Sequence, residues 1–371
     1  LNSIPAIDNP SSEDSRLDFF NYELEEVELK VGGLTGKKYH GGIVSNFVYR
    51  HGLLDIDQMS SLSFSVRELL KTEVSFDLLT IKKRLVSIDG TVKFLFELEG
   101  KKGPQEIEAV YIPEKTRVTL CVSSQVGCKM GCRFCLTAQL GFKEHLMAGD
   151  IVRQVMTVNA DPELRPVTNI VFMGMGEPFD NLVEVRKACR ILTHHRGLNL
   201  SARKITVSTV GLVDKIDALT PEDPFRLAVS LNSSDDSTRS DLMPVNRRWA
   251  MDELLESCRQ YAKRTNKRIT FEYILMAGLT DRDIDVDNLV RKLSPIPCKL
   301  NLIPYNESSF TEFKRPTEED CLRFHSKLMA RAAFPVFIRK NRGNDIFAAC
   351  GMLKKVDPTE KRSPETPPSA L

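Results

Sequence analysis

The spacing of hydrophobic and polar positions divides the 371-residue chain into stretches of different character. Residues 1 to about 36 show little periodicity and are punctuated by Gly32, Gly33 and Gly36, so no element is predicted there. From Lys37 to about Thr80 the apolar residues take helical spacing. Ile43, Phe47 and Val48 share one face, and Leu62, Phe64, Val66, Leu69 and Leu70 form a second cluster. Two or three short helices fit, and residues 1–83 read as a mostly helical module. The period then falls to two. Arg84–Ile88 and Thr91–Leu98 flank Asp89-Gly90, a two-residue hairpin signal, and Glu106–Ile112 adds a third strand, so 84–117 reads as a β-meander.

Val118–Val122 opens a longer region, 118–353, in which strands alternate with helices. The predicted strands are Asn169–Met173, Lys204–Ser208, Arg226–Leu231, Ile269–Leu275, Lys299–Ile303 and Val336–Arg339. They are short, branched and largely apolar, as buried parallel strands are. The predicted helices are Gly149–Val158, Leu182–His194, Val213–Leu219, Met251–Arg264, Val286–Leu293 and Thr317–Ala333. The last opens on Thr317-x-x-Asp320, a capping-box spacing with aspartate in place of Glu or Gln. The alternation predicts an α/β fold with a parallel sheet, either open or curved into a partial barrel. Residues 354–371, rich in Pro, Glu, Lys and Ser, are predicted to be disordered.

Composition changes this picture little. With 42% hydrophobic and 27% charged residues the chain reads as a soluble globular protein. No run approaches the roughly 18 apolar residues of a membrane span. The polar, acidic start lacks a signal-peptide core; it begins at Leu1, which leaves a leading or targeting segment open. Nine cysteines, with Cys189, Cys258, Cys298 and Cys321 scattered, argue for a reducing compartment, and cytoplasm is expected. A net charge of +2 does not announce a nucleic-acid binder. The local clusters Lys82–Arg84, Lys101-Lys102, Arg247-Arg248 and Arg339–Arg342 fit solvated faces as readily as binding patches.

The candidate chemistry centres on Cys121 to Phe142, which holds four cysteines; Cys128, Cys132 and Cys135 form a C-x3-C-x2-C triplet. Thiolates packed this closely are metal ligands. A zinc site completed by Cys121 or His145 is one reading. A [4Fe–4S] cluster with one iron free of protein ligands is the other. Further polar residues fall at the carboxyl ends of predicted strands, where parallel α/β folds gather their sites. They are Gly174-Met175-Gly176-Glu177-Pro178, Ser208, Ser230-Leu231-Asn232 and Pro304-Tyr305-Asn306. Turn punctuation and helix capping are the competing explanation for each. A glycine permits close approach to a ligand, and Glu177 suits an ammonium group or a helix start. Taken alone, Cys121 and Cys350 read as small buried hydrophobes, and Glu108 as an exposed strand residue.

The triplet, with Phe134 before its last cysteine, resembles the signature of the radical S-adenosylmethionine (SAM) enzymes. TLCVSSQVGCKMGCRFC, FMGMGEP, ITVSTVG, LAVSLN, KLNLIPYN and RGNDIFAACGML together resemble the ordered motifs of the adenine-C2 RNA methyltransferase family, RlmN, from about Asp89 to Leu353. The resemblance implies a partial parallel (β/α) barrel of the radical SAM type. It implies cluster ligands Cys128, Cys132 and Cys135, and SAM contacts at Gly176, Glu177, Ser208, Ser230, Leu231, Asn232 and Asn306. Family members often carry His at the position of Asn232. Cys350 matches the methyl-carrying cysteine, Cys121 the resolving one, and Glu108 the proton acceptor.

The implied reaction moves a methyl from SAM to the Cys350 thiolate. A second SAM yields a 5′-deoxyadenosyl radical, which takes a hydrogen from the S-methyl group. The methylene adds to C2, Glu108 removes the C2 proton, and Cys121 attacks the sulfur. This releases methyladenine and leaves a Cys121–Cys350 disulfide for reduction. The implied substrates are 23S rRNA and tRNA, with the target base unstacked. An electron-donor protein such as flavodoxin is implied, with no membrane and a monomeric chain. The helical module fits a packing lid or an RNA-binding accessory unit. Two alternatives stand beside this reading: the sister C8-adenine methyltransferases (Cfr), which share the cysteines and Gly-Glu-Pro, and a noncatalytic metal-binding RNA protein.

Overall fold

Ten strands form one hydrogen-bonded sheet in a computed structural model that describes residues 16–307 and 311–353. The predicted disordered tail, 354–371, lies outside the described residues. In chain order the strands are β1 (Thr80–Val86), β2 (Val92–Gly100), β3 (Gly103–Pro113), β4 (Val118–Cys121), β5 (Asn169–Phe172), β6 (Ile205–Thr209), β7 (Arg226–Ser230), β8 (Ile269–Leu275), β9 (Cys298–Pro304) and β10 (Val336–Ile338). From β4 to β10 each strand pairs in parallel with the next in sequence. Right-handed crossovers that always advance in one direction put the helices on one face and leave the strands' other face open. This is the partial barrel, with β10 at its edge.

The meander is the other half of the same sheet. β1, β2 and β3 pair antiparallel, and β3 pairs antiparallel with β4, Val110 opposite Cys121. Its first hairpin departs from expectation. β1 starts at Thr80, and the turn spans Ser87 to Thr91, closed by Ser87 N–H to Thr91 O at 2.8 Å. Asp89 accepts the Thr91 N–H, and Gly90 takes φ +82°. The Asx turn widens the predicted two-residue loop.

The helices longer than one turn are α1 (Leu24–Thr35), α2 (Tyr39–His51), α3 (Phe64–Glu73), α4 (Ala148–Asn159), α5 (Leu182–Thr193), α6 (Val213–Asp217), α7 (Asp236–Leu242), α8 (Met251–Thr265), α9 (Asp283–Leu293) and α10 (Glu318–Met329). Two are unexpected. α1 runs through the glycines that had suggested irregular chain. Its Leu24, Val27 and Val31 form a buried stripe, and a Cβ on Gly32 would stand 2.9 Å from Lys38 Cα. The glycine serves the tight return into α2 rather than breaking the helix. α7 is polar, with Arg239 and Leu242 its buried residues, so no apolar period marks it. At α10 the Thr317 hydroxyl accepts the Asp320 N–H, while the Asp320 carboxylate bonds that hydroxyl at 2.6 Å instead of reaching back to the backbone.

The helical module sits on α4. Phe19, Phe20, Tyr49 and Phe76 cluster edge-on and tilted. Arg153 of α4 pairs with Asp18 and donates to Asp77 O at 2.9 Å, and Gly149 N–H donates to Asn21 at 3.1 Å. One apolar core continues from Phe19 to Leu353. Among the described residues no helix is long and apolar enough to cross a membrane.

The glycines of the α1–α2 pair give opposite expectations. A Cβ on Gly41 would lie 2.5 Å from Glu28 Cα, whereas one on Gly33 meets nothing within 4 Å. Gly33→Ala should stabilise by about 0.5–1 kcal/mol through helix propensity. Gly41→Ala should cost about 1–3 kcal/mol by forcing the helices apart. Thermal unfolding reads both; a stabilised Gly41→Ala would contradict the close crossing.

Candidate active site

The parallel strands end on a cavity lined by the three triplet cysteines and by Gly176, Glu177, Ser208, Ser230, Asn232, Asn306 and Cys350. Of the proposed SAM contacts only Leu231 is missing from that wall. It is fully buried, and its N–H donates to Glu272 O at 2.9 Å. A second cavity of about 920 Å³ lies on the open face of the barrel and takes Cys121 as well as Cys350 into its wall. Cys350, Asn306 and Arg339 border both.

The polar run Ser123-Ser124-Gln125 shapes the first cavity. Ser123 exchanges bonds with the Gln154 side chain at 2.8 and 3.0 Å, and its hydroxyl donates to Glu108 O at 2.6 Å. Gln125 accepts the Glu177 N–H at 2.8 Å and donates to Asp180 at 2.8 Å. Gly174 and Gly176 lie against this run. A Cβ on Gly174 would stand 2.6 Å from Val122 O, and one on Gly176, at φ +102°, 2.6 Å from Gln125 Cβ. Both glycines are therefore required by chain-to-chain approach, although Gly176 also faces the cavity.

Glu177 is both a helix start and a buried carboxylate. Its oxygens accept the Phe179 and Val210 N–H groups, each at 3.0 Å, and it is 2% exposed. Burial pushes its pKa up to about 7, opposed by the Thr209, Val210 and Phe179 hydrogen bonds. Opposite it, the fully buried Arg239 donates to the carbonyls of Leu231, Val210 and Ser230 and to Asn246. Burial lowers its pKa to about 10. One side chain thus pins the carboxyl ends of β6 and β7. Asn232 takes φ +55°, a left-handed backbone that asparagine tolerates better than most residues. Its buried Oδ1 has no protein partner.

Burial pushes Cys128 up to about 12, lifts Cys132 well above the ordinary thiol range and raises Cys135. No fourth cysteine or histidine joins them in the wall except Cys350, which stands at the far junction. The zinc completion fails on placement. Cys121 lines the other cavity, and His145 is bonded to Gln125 at 3.0 Å. Among the described residues no three His, Cys, Asp or Glu side chains close on a single metal ion, and three thiols sharing one wall without a fourth ligand suit the wider [4Fe–4S] cluster with an open iron. The unpaired Asn232 oxygen and buried Glu177 fit the polar end of SAM.

The loop carrying Cys350 is clamped from two sides. At one end the β1–β2 turn holds it: Asp89 accepts Gly343 N–H at 3.2 Å, and Asp345 takes the Ser87 hydroxyl at 2.5 Å and the Ile88 N–H at 3.2 Å. At the other end the cluster loop holds it, through Leu136 N–H to Gly351 O at 2.8 Å and Thr137 Oγ1 to Leu353 O at 2.7 Å. Cys121 is buried beside Cys350; burial, then the neighbouring thiol, pushes its pKa up to about 12. Arg339 faces both thiols, and Cys350 above all raises its pKa. The Arg339–Arg342 cluster is thus partly turned inward, not a solvated face.

Glu108 corrects the reading of an exposed strand residue. It is 3% exposed on β3 and pairs with the buried Lys93 at 3.1 Å. It borders neither cavity. Lys93 also donates to Phe347 O at 3.3 Å, joining β2 to the Cys350 loop. Sequence reasoning passed over Lys93, though a lone lysine inside Val92-Lys93-Phe94 was a signal. It passed over Ser123–Gln125, a polar run just after an apolar strand, and Arg239, which carried none.

Comparison with known proteins agrees with this geometry. A family profile described as the Radical SAM superfamily matches residues 122–290. The chain is 40% identical to the dual-specificity RNA methyltransferase RlmN of Bdellovibrio bacteriovorus over 355 residues, covering 95% of this chain and 87% of the relative. It is 43% identical to that of Desulfotalea psychrophila, over 94% of this chain and 97% of the relative. The crystal structure of a radical SAM methyltransferase from Sphaerobacter thermophilus superposes with a TM-score of 0.84 at 40% identity, covering 90% of this chain and 98% of the other. A chain that shares this much sequence over almost its whole length with such relatives belongs to the RlmN family of radical SAM RNA methyltransferases.

Proposed function

We propose that this chain methylates C2 of adenosine in 23S rRNA and tRNA, carrying the methyl on Cys350. The observation that carries the reading is the setting of Cys350: one thiol bordering both cavities, beside Cys121 and under Arg339. When bound, the [4Fe–4S] cluster and SAM supply the methyl group and the one-electron chemistry. Cys128, Cys132 and Cys135 would hold the cluster. Glu177 would take the ammonium of SAM, with Ser208, Ser230, Asn232 and Asn306 around its carboxylate and ribose.

The chain's own residues divide the remaining work. The Arg339 cation stands beside the Cys350 sulfur that accepts the methyl. The clamps at Asp89, Asp345, Leu136 and Thr137 hold that sulfur still, so little orientation is left to the moment of reaction. The resemblance assigns the C2 proton to Glu108, whose carboxylate is oriented by Lys93 at 3.1 Å, while Lys93 also reaches Phe347 O of the Cys350 loop at 3.3 Å. Cys121 then has a sulfur within its own wall to attack. We read the protein as a cytoplasmic monomer reduced by a small electron carrier such as a flavodoxin.

Incubation with SAM, reductant and RNA, followed by a denaturing gel and nucleoside mass spectrometry, tests these roles. The product should be 2-methyladenosine; 8-methyladenosine as the main product would place the chain with the C8 enzymes. Cys350→Ala should lose all methylation of protein and RNA while retaining iron. Cys121→Ala should still methylate Cys350 and then accumulate a protein–RNA crosslink. Free methylated RNA from Cys350→Ala would sink the assignment.

Glu177 gives a pH expectation. Its pKa stands above the ordinary carboxyl value of 4.5, at about 7, so between these limits the folded chain holds a proton that the unfolded chain has lost. Stability from this group is full below about pH 4.5 and declines as pH rises through 7, by about 3 kcal/mol at most. The SAM-free protein should therefore lose more stability between pH 5 and 8 than Glu177→Gln does. Urea unfolding at both pH values measures it, and parallel pH curves for the two proteins would contradict a buried, protonated Glu177.

A further inference from the structure

The second cavity has an electrostatic character that the reaction chemistry leaves unused. Nine Lys and Arg side chains and two carboxylates border it, in a chain whose net charge is +2. Five of the cations stand at the amino ends of successive strands: Arg203 and Lys204 before β6, Arg226 at the start of β7, Arg268 before β8 and Lys299 at the start of β9. Parallel pairing sets them side by side, since Thr206 faces Arg226 and Thr270 faces Lys299 across the ladder. Neither carboxylate forms a close ion pair with them, although Glu272 lies near enough to Lys299 to favour its charge. Glu114 pairs with Arg117 at 2.8 Å, and Glu272 accepts from Asn301 at 3.0 Å with Arg339 at 4.0 Å. Among the described residues no carboxylate forms an ion pair with Arg203, Lys204, Arg226, Arg268 or Lys299. Burial lowers the pKa of Lys299; Glu272 opposes the shift, while Arg226, Arg268 and Arg117 add to it.

Like charges gathered without counterions destabilise a fold unless a polyanion neutralises them. A second observation says which kind. Phe337, on the edge strand β10, borders the same cavity and is 52% exposed, though its neighbour Val336 is buried. A charged groove with an exposed aromatic face is the pattern that binds a single nucleic-acid strand, phosphates on the cations and a base stacked on the ring. A cavity of about 920 Å³ holds unstacked nucleotides and excludes a duplex.

We infer that the RNA strand enters the barrel past the amino ends of β6 to β9, with Arg226, Arg268 and Lys299 on its phosphates and Phe337 against a base. The target base then meets Cys350 from the side opposite the cluster. This rests on the RNA methyltransferase reading and adds a direction of entry and the residues that hold the backbone. It also separates the two substrates in space, because SAM and RNA reach the shared thiol through different cavities.

Fluorescence anisotropy with a short adenosine-containing single-stranded RNA, over a salt series, tests it on the reconstituted protein. For the triple variant Arg226→Gln, Arg268→Gln, Lys299→Gln, the slope of log affinity against log salt should fall by about 2, near 0.7 per lost phosphate contact. Arg226→Lys with Arg268→Lys should keep the slope, since a point charge serves a phosphate. Phe337→Ala should weaken binding about tenfold with the slope unchanged. Removing Lys215, Arg259 and Lys263, exposed on the outer helices, is the control and should leave both quantities alone. Iron content and thermal midpoint establish that each variant is folded. A triple variant with the wild-type slope, or a control that loses as much, overturns the proposed path. Wild-type protein that binds no RNA at any salt overturns instead the RNA reading on which it rests.

Discussion

Strand β4 is the constraint on which the rest depends. It is hydrogen-bonded antiparallel to the meander on one side and parallel to the barrel on the other. Cys121, its last residue, pairs with Val110 in one register and Val171 in the other. Since a one-residue slip would turn every side chain to the opposite face, the double register fixes Cys121 towards the open face of the barrel. It also sets the polar run that follows, so Ser123 meets the Glu108 carbonyl and Gln125 meets Glu177. Meander and barrel are thus one mechanical body at the place where the chemistry is proposed.

The Cys350 loop is positioned by polar contacts rather than by regular structure. Asp89 and Asp345 at the hairpin, Lys93 in the core and Thr137 beside the cluster loop hold it across a long sequence separation. Such contacts are modest singly, and their number and burial give the loop a defined place. Arg339 serves the same end electrostatically, as the cation shared by both thiols and Glu272.

Much of this was legible in the sequence where burial writes a period. The six parallel strands after Cys121 emerged within a residue or two, because apolar β-branched runs bounded by turns have few other readings. The triplet and the strand-end motifs marked the cavity, and the family resemblance supplied roles for Cys121, Cys350 and Glu108 that the residues alone did not. What stayed hidden was set by partners distant in sequence. α1 was masked by glycines needed for a close helix crossing, α7 lacks an apolar face, and Glu108 is buried in an ion pair with Lys93, diagonal to it on the neighbouring strand. Five cations of the second cavity are scattered from Arg203 to Lys299 and converge through parallel register.

The central claim is that one thiol at the junction of two cavities carries the methyl between them. A pulse–chase with methyl-labelled SAM tests it most directly. The protein is incubated with labelled SAM before RNA is added, then moved to unlabelled SAM with RNA and reductant, and Cys350 and adenosine are analysed by mass spectrometry. The account predicts label on Cys350 during the pulse and its passage to the first-turnover adenine as the protein label disappears. Labelled adenine formed while Cys350 stays unlabelled throughout, or a labelled Cys350 that never gives up its methyl, would contradict it.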